Sequence, residues 1–251
     1  MNTEVSALIL AGSRGVPDPV ATAERVAHKA LVQVGGRPML ERVIAAVRDA
    51  GISRILVSAD EPAVVALAAS CGAEVIAPEA GPSASVGAGF ARLGAPMLVT
   101  TADHALLRGE WIQNFVAAMP MDADVAIMLA RRDTVERAVP GTRRTWLRFA
   151  DGQWSGCNLF LLARPAADRA IAAWQQVEAD RKRPWRLVAR LGLRTIVDYA
   201  LGRLTISAAI LRLGQRLGFV ARMVAANDGR AAVDVDKPED LAEVRRLVRR
   251  L

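Results

Sequence analysis

Apolar positions recur along the chain in two spacings, and their alternation predicts strand, helix, strand, helix as far as about residue 130. Val5–Leu10 reads as a first strand that runs into a Gly/Ser/Arg/Pro loop, and Ala30–Val34 as a second extended piece closed by Gly35 and Gly36. Pro38 stands where a first-turn proline belongs, with Leu40, Val43, Ile44 and Val47 at helical spacing until Gly51. Arg54–Ser58 is the next strand. Asp60 caps a helix with Pro62 in its first turn, ending near Gly72; Glu74–Ala77 is a strand, and Ser83 or Ser85 opens the following helix. Pro96–Thr101 is apolar and bounded by polar residues, as a buried central strand should be, and its C-terminal end delivers Asp103 into a loop. A helix over about Gly109–Met119 and a strand over Asp124–Ala130 continue the series.

Beyond residue 130 the pattern changes. Thr145–Phe149 and Trp154–Leu162 predict antiparallel strands, a basic helical segment follows, and a last helix runs from about Pro238 to Leu251. The expected class is α/β: a doubly wound, mostly parallel sheet with a small antiparallel β element and a helical insertion, binding ligands at the C-terminal ends of its strands. With 251 residues, 52% hydrophobic and 24% charged, residues 1–251 fit a single domain with a continuous core. Two cysteines, Cys71 and Cys157, exclude a disulfide framework and lack the paired spacing of a zinc site. No run of 18 apolar residues occurs, and the acidic Glu4 before a very short apolar stretch is not the start of a signal peptide. A reducing cytoplasm is the expected location.

The net charge of +7 is concentrated. Arg181–Arg222 holds ten basic residues against one acid, Asp198, a local excess of +9, so the other residues sum to −2. Arginines there interleave with apolar residues at three- and four-residue steps, the pattern of amphipathic helices. Three roles fit this insertion, residues 181–222: a helical lid or homodimer arm, peripheral attachment to an anionic inner-membrane surface, or a wall of an acceptor site. Nucleic acid is not expected, because aromatic platforms and recognised binding motifs are missing.

Chemistry enters at the first loop, Leu10-Ala11-Gly12-Ser13-Arg14-Gly15, followed by Lys29. Glycine lets backbone amides approach phosphate oxygens, and an arginine and a lysine supply charge-assisted bonds to a polyphosphate. The spacing is neither the dinucleotide Gly-x-Gly-x-x-Gly nor a P-loop. Taken in order, this loop, Lys29 within His28–Leu40, Thr101-Ala102-Asp103 and Asp234-Val235-Asp236-Lys237-Pro238-Glu239-Asp240-Leu241 resemble the MobA-like nucleotidyltransferases, the superfamily of molybdenum-cofactor guanylyltransferase and the small cytidylyltransferases. The resemblance covers residues 5 to about 160 and 219 to 251. The glycine loop is shorter than the family's usual one, and His104 replaces the proline that usually follows the mid-chain aspartate.

The resemblance implies a GT-A-type, Rossmann-like fold in which Leu10, Ala11, Gly12, Ser13 and Arg14 wrap a triphosphate that Lys29 contacts, and Asp103 holds Mg²⁺. Arg14, Lys29 and Asp103 form the expected catalytic set, with Asp236, or alternatively Asp234, as the second metal carboxylate; helix capping is the competing role for that pair. Pro82, Ser83 and Ser85 lie in the loop that reads the base in look-alikes. Asn158, Arg143 and Arg144 are expected on the acceptor side. The implied reaction is Mg²⁺-dependent transfer of NMP from an NTP, CTP before GTP, to a small anionic phosphomonoester such as phosphoglycerate or a sugar or polyol phosphate, releasing pyrophosphate. The expected purpose is activation of a lipid headgroup or envelope precursor. Guanylyl transfer to a cofactor precursor is the alternative, and a non-catalytic nucleotide-binding or membrane-associated scaffold the alternative of another class. A glycosyltransferase on this fold would show Asp-x-Asp where Thr101-Ala102-Asp103-His104 stands.

Overall fold

The computed structural model describes residues 4–13, 15, 17–180 and 192–249. Its frame is an eight-stranded sheet built from β1 (Ser6–Leu10), β4 (Ile55–Ser58), β5 (Glu74–Ile76), β6 (Met97–Thr101), β7 (Val125–Arg131), β8 (Leu147–Phe149), β9 (Gly152–Leu162) and β10 (Ala221–Ala225). The order is β10-β7-β9-β6-β1-β4-β5, with β8 paired to β9. All neighbours are parallel except β9, which runs antiparallel between β6 and β7 and pairs antiparallel with β8. The two strands predicted as antiparallel are thus joined to the main sheet, with β9 near its middle. A separate ribbon pairs β2 (Gln33–Val34) with β3 (Arg37–Pro38).

Alternation along β1 explains the layers: Ala7 and Ile9 point to one face and Leu8 to the other. The first face receives α2 (Met39–Asp49), α3 (Pro62–Ser70), α5 (Gly109–Ala118) and α10 (Pro238–Val248). The second receives α4 (Pro82–Leu93) and α7 (Asp168–Ala179). Of the insertion, α8 (Leu193–Ala200) and α9 (Ile206–Leu217) are described; Ile206 and Ile210 of α9 join a small core with Leu129 and Trp154. The expectations for 181–191 and for Arg14 lie outside the described residues. Among those described, no helix is long and apolar enough to cross a membrane.

Several local expectations are corrected. Ala30–Val34 divides into a 3-10 turn at Lys29–Leu31 and the short β2, because the Leu31 and Val32 amides turn back to the His28 and Lys29 carbonyls. Pro38 precedes α2 as its N-cap. The cap of α3 is Glu61, with Asp60 turned elsewhere. Gly81 caps α4, so Ser83 and Ser85 lie inside its first turn. Two short helices, α1 (Pro19–Glu24) and α6 (Arg132–Ala138), were not expected, nor were α7 and β10 as separate elements.

Candidate active site

The parallel strands β1, β4 and β6 end on one rim, where the loops after them meet the Asp234–Asp236 segment. Gly12 must lack a side chain: a Cβ there would lie 2.9 Å from the Pro78 Cβ in the loop before α4. His28 braces the loop from below. Its Nδ1 accepts the Ala30 amide at 3.1 Å, its ring faces the Gly12 backbone, and burial lowers its pKa.

Lys29 stands between two carboxylates, with Nζ 2.6 Å from Asp103 Oδ2 and 3.5 Å from Asp236 Oδ1, and also donates to the Val235 carbonyl at 3.3 Å. Burial pulls the lysine pKa down, but Asp103 and, less strongly, Asp236 outweigh it and hold the ammonium above its ordinary value. Thr101 Oγ1 donates to the other Asp103 oxygen, and the Val235 amide donates to the Asp103 carbonyl at 3.2 Å, so the mid-chain loop and the C-terminal segment are locked together.

Asp234 and Asp236 differ in their partners. Asp234 Oδ1 accepts from Arg144, and Oδ2 accepts from Asn158 Nδ2 at 2.7 Å. Burial, then the neighbouring Asp103 and Asp236 charges, push the Asp234 pKa up against these two bonds. Asp236 has a side chain 61% exposed, and Asp240 fixes its backbone by accepting the Asp236 and Lys237 amides at 3.1 and 2.9 Å. Asp103 and Asp236 thus both face the Lys29 ammonium. Two hard oxygen donors of this kind fit Mg²⁺, which takes one or two carboxylates and completes its shell with water and substrate phosphate. No group of three or more His, Cys, Asp or Glu side chains able to hold a metal by itself occurs among the described residues.

Other expected site residues are placed differently. Arg144, with a side chain only 7% exposed, is a buried clamp on Asp234, with Asp240 and Glu243 at 3.7 and 4.0 Å. Asn158 joins the same clamp from a left-handed backbone conformation, φ 49°, near a register shift between β7 and β9. Arg143 is exposed and makes no ion pair among the described residues. Ser83 donates its hydroxyl to Glu178 at the end of α7, and Ser85 Oγ accepts the Glu79 amide at 2.9 Å; Pro82 precedes both as the first residue of α4. Leu10 ends β1, and the Ala11 amide bonds Ser58.

Asp60 was missed as a site residue. Its Oδ1 accepts both the Ser13 amide at 3.1 Å and the Ser13 hydroxyl at 3.0 Å, placing a carboxylate on the donors expected for phosphate. Glu178 was missed as well, since nothing local links it to Ser83, 95 residues earlier. Neither buried group with apparent chemistry has a reacting partner: burial raises the Cys157 thiol, and it pushes His104 down to about 4 against the opposing pull of Asp103. A cleft of about 310 Å³ lined by Arg37, Arg42, Asp49, Arg108 and Glu110 shares no residue with the site described above.

Comparison with solved structures agrees with this architecture. The chain aligns with a hypothetical transferase from Thermus thermophilus at 30% identity and a TM-score of 0.82, over 95% of this chain and 100% of that one. CMP:2-keto-3-deoxy-manno-octonic acid synthetase complexed with CTP shares the fold at 18% identity and a TM-score of 0.61, over 99% of both chains. So does 4-diphosphocytidyl-2C-methyl-D-erythritol synthase from Anaerococcus prevotii, at 10% identity and 0.59, over 98% of both. No curated protein matches the sequence. The family model for the MobA-like NTP transferase domain matches residues 7–194, most of the chain, and the chain belongs to that family.

Proposed function

We propose that this protein transfers a nucleoside monophosphate, with CTP as donor, to a small anionic phosphomonoester and releases pyrophosphate, with Mg²⁺ as cofactor. The observation that carries the reading is the Lys29 ammonium held between Asp103 and Asp236 beside the Gly12–Ser13 loop. A polyphosphate brings several negative charges, and this corner supplies a lysine, backbone amides and a cation position on adjoining elements. Asp103 and Asp236 would hold the metal, which when bound neutralises charge on the triphosphate and on departing pyrophosphate.

The chain's own contribution is positioning. Ser13 offers an amide and a hydroxyl to the phosphates once Asp60 yields them, and Lys29 offers its ammonium. An acceptor phosphate oxygen bonds to the α-phosphorus while the bond from that phosphorus to the oxygen bridging the β-phosphorus breaks, and pyrophosphate leaves with the electron pair. A phosphomonoester is already ionised near pH 7, so no general base is required, consistent with a His104 whose imidazole is buried away from solvent. CTP is preferred because two proteins of the same fold carry cytidylyl chemistry in their names and one was solved with CTP. On the acceptor side Arg143 remains exposed, and with Arg148 it favours an acceptor bearing a second negative charge, such as phosphoglycerate, ahead of sugar or polyol phosphates. Such products suit headgroup or envelope-precursor activation by a cytoplasmic enzyme.

Pyrophosphate release from each of four NTPs, with phosphoglycerate and with sugar and polyol phosphates, tests the reading. Release with CTP, abolished by EDTA and reduced by orders of magnitude in Asp103→Asn, is expected. Release with GTP alone would move the donor assignment to guanylyl transfer; no release from any pair would remove the transfer reading.

A further inference from the structure

The described part of the basic insertion divides into two unlike helices. The inner surface of α9 is covered by the sheet, and Thr205 caps it by accepting the Ala208 amide at 3.2 Å. Among the described residues, the contacts that hold α8 lie on one side: Thr195 is buried, Asp198 pairs with Arg212 of α9 at 2.6 Å, and the Tyr199 ring meets Phe149 of β8 edge-on at 5.7 Å. The opposite side presents Leu193, Val197 and Leu201, spaced i, i+4, i+8, at 78%, 45% and 57% exposure. Arg194, next to Leu193 in the helix, and Arg203, two residues past Leu201, are exposed and have no ion pair among the described residues.

We propose that the outer face of α8 docks on the surface of a bilayer containing anionic phospholipid, with Leu193, Val197 and Leu201 entering the interface and Arg194 and Arg203 meeting headgroup phosphates. An aliphatic stripe flanked by unpaired arginines is the chemistry that such a surface accepts. Charge selects the lipid over a second copy of the chain. Arg194 and Arg203 have no acidic partner among the described residues and the one carboxylate of α8, Asp198, is taken by Arg212, so a two-fold contact through α8 would oppose arginines with nothing to pair them, whereas an anionic leaflet complements each. Because α8 is already folded and anchored through Asp198 and Tyr199, docking requires no ordering of a free peptide. Its position also fits: the β8–β9 turn, which holds the α8–α9 connection through the Ala150 amide on the Leu204 carbonyl and Asp151 on the Ile206 amide, projects from the sheet end that carries Asp103, so that end would face the leaflet. This inference does not depend on which nucleotide is transferred, or on whether one is.

The test is co-sedimentation of the full chain with phosphatidylcholine vesicles, with and without phosphatidylglycerol, at low and high salt. Circular dichroism spectra and melting temperatures of the same preparations show that each variant is folded. The wild type should sediment with the anionic vesicles only, and less as salt rises. Arg194→Glu with Arg203→Glu should weaken binding roughly 25-fold or more, about fivefold for each cation lost. Leu193→Ser with Leu201→Ser should weaken it at both salt levels, with the spectrum and melting temperature little changed in both variants. Equal binding to neutral and anionic vesicles, or a serine pair that binds like the wild type, would overturn the proposal. So would absent lipid binding together with a dimer, seen by sedimentation velocity, that the serine pair dissociates.

Discussion

At the residue scale, the candidate site is a contest between internal carboxylates and an incoming polyphosphate for the same donors. Asp60 occupies the Ser13 amide and hydroxyl, and Asp103 occupies Lys29. Lys29→Ala should weaken CTP binding by about 1.5–3 kcal/mol, the range of a hydrogen bond to a charged group, and leave cytidine binding nearly unchanged. Asp60→Ala should act oppositely, tightening CTP several-fold by freeing two donors. Calorimetric titration of both ligands into both variants checks this, and equal losses for CTP and cytidine would make Lys29 a structural support only. His104 gives a second prediction, about stability in metal-free buffer. Its imidazole titrates near 6.5 when unfolded but is pushed down to about 4 by burial in the native chain. The unfolded state therefore binds more protons between these values, so stability is full above pH 6.5 and declines as pH falls towards 4, by up to about 3 kcal/mol. In His104→Leu that part of the decline should disappear from urea midpoints measured across the window; an unchanged slope would show that other groups carry it. Lys29, Asp103 and Asp236 were expected together from the ordered motifs that carry the resemblance, and the three side chains do meet. The clamp made by Asn158 and Arg144 was not legible, because the partner that claims both, Asp234, is 76 and 90 residues away, and only folding reveals that an arginine in a basic stretch faces inward.

At the element scale, the strands were legible where an apolar run is continuous, as in β1 and β6, whose residues are buried on both faces of a parallel sheet. The place of β9 between β6 and β7 was not, since strand order is set by pairing across the chain and not by any spacing within β9. Short helices such as α6 are set by tertiary contact, and α6 shows the cause. The 3-10 turn Gly229–Ala232 packs so closely on it that a methyl group at Gly229 would overlap the backbone of Thr134 and Val135. Backbone cannot rotate away as a side chain can, so Gly229→Ala should cost roughly 2–3 kcal/mol. It should also disturb the Asp234 clamp that follows the turn. Gly156→Ala, where a new Cβ meets nothing within 4 Å, should change stability by less than about 0.5 kcal/mol. Urea denaturation of the pair separates close packing from a general intolerance of side chains on this half of the sheet.

At the scale of the whole molecule, the site joins the two ends of the chain. Ser13 and Lys29 come from the first elements, Asp103 from the middle strand, and Asp236 from the segment entering α10, which returns to the N-terminal half through the Arg245–Glu24 ion pair at 2.6 Å. A ligand that touches all of these groups at once binds the native state alone, since no unfolded chain keeps residues 13 and 236 together. At about 100 times its dissociation constant such a ligand adds roughly 2.7 kcal/mol, and for a chain of this size each kcal/mol raises the melting temperature by about 2–4 °C. Mg²⁺ with CTP should therefore raise the transition by about 5–10 °C. Either component alone should give much less, because CTP without the metal sets its phosphates against Asp103 and Asp236, and the metal without CTP has only two carboxylates to hold it. Asp236→Ala should lose most of the joint effect while keeping the basal transition, its side chain being mostly exposed and its backbone fixed by Asp240. A full CTP shift in EDTA, or an undiminished joint shift in Asp236→Ala, would mean that the C-terminal carboxylate takes no part in binding and that Lys29 alone links the phosphates to the middle of the sheet.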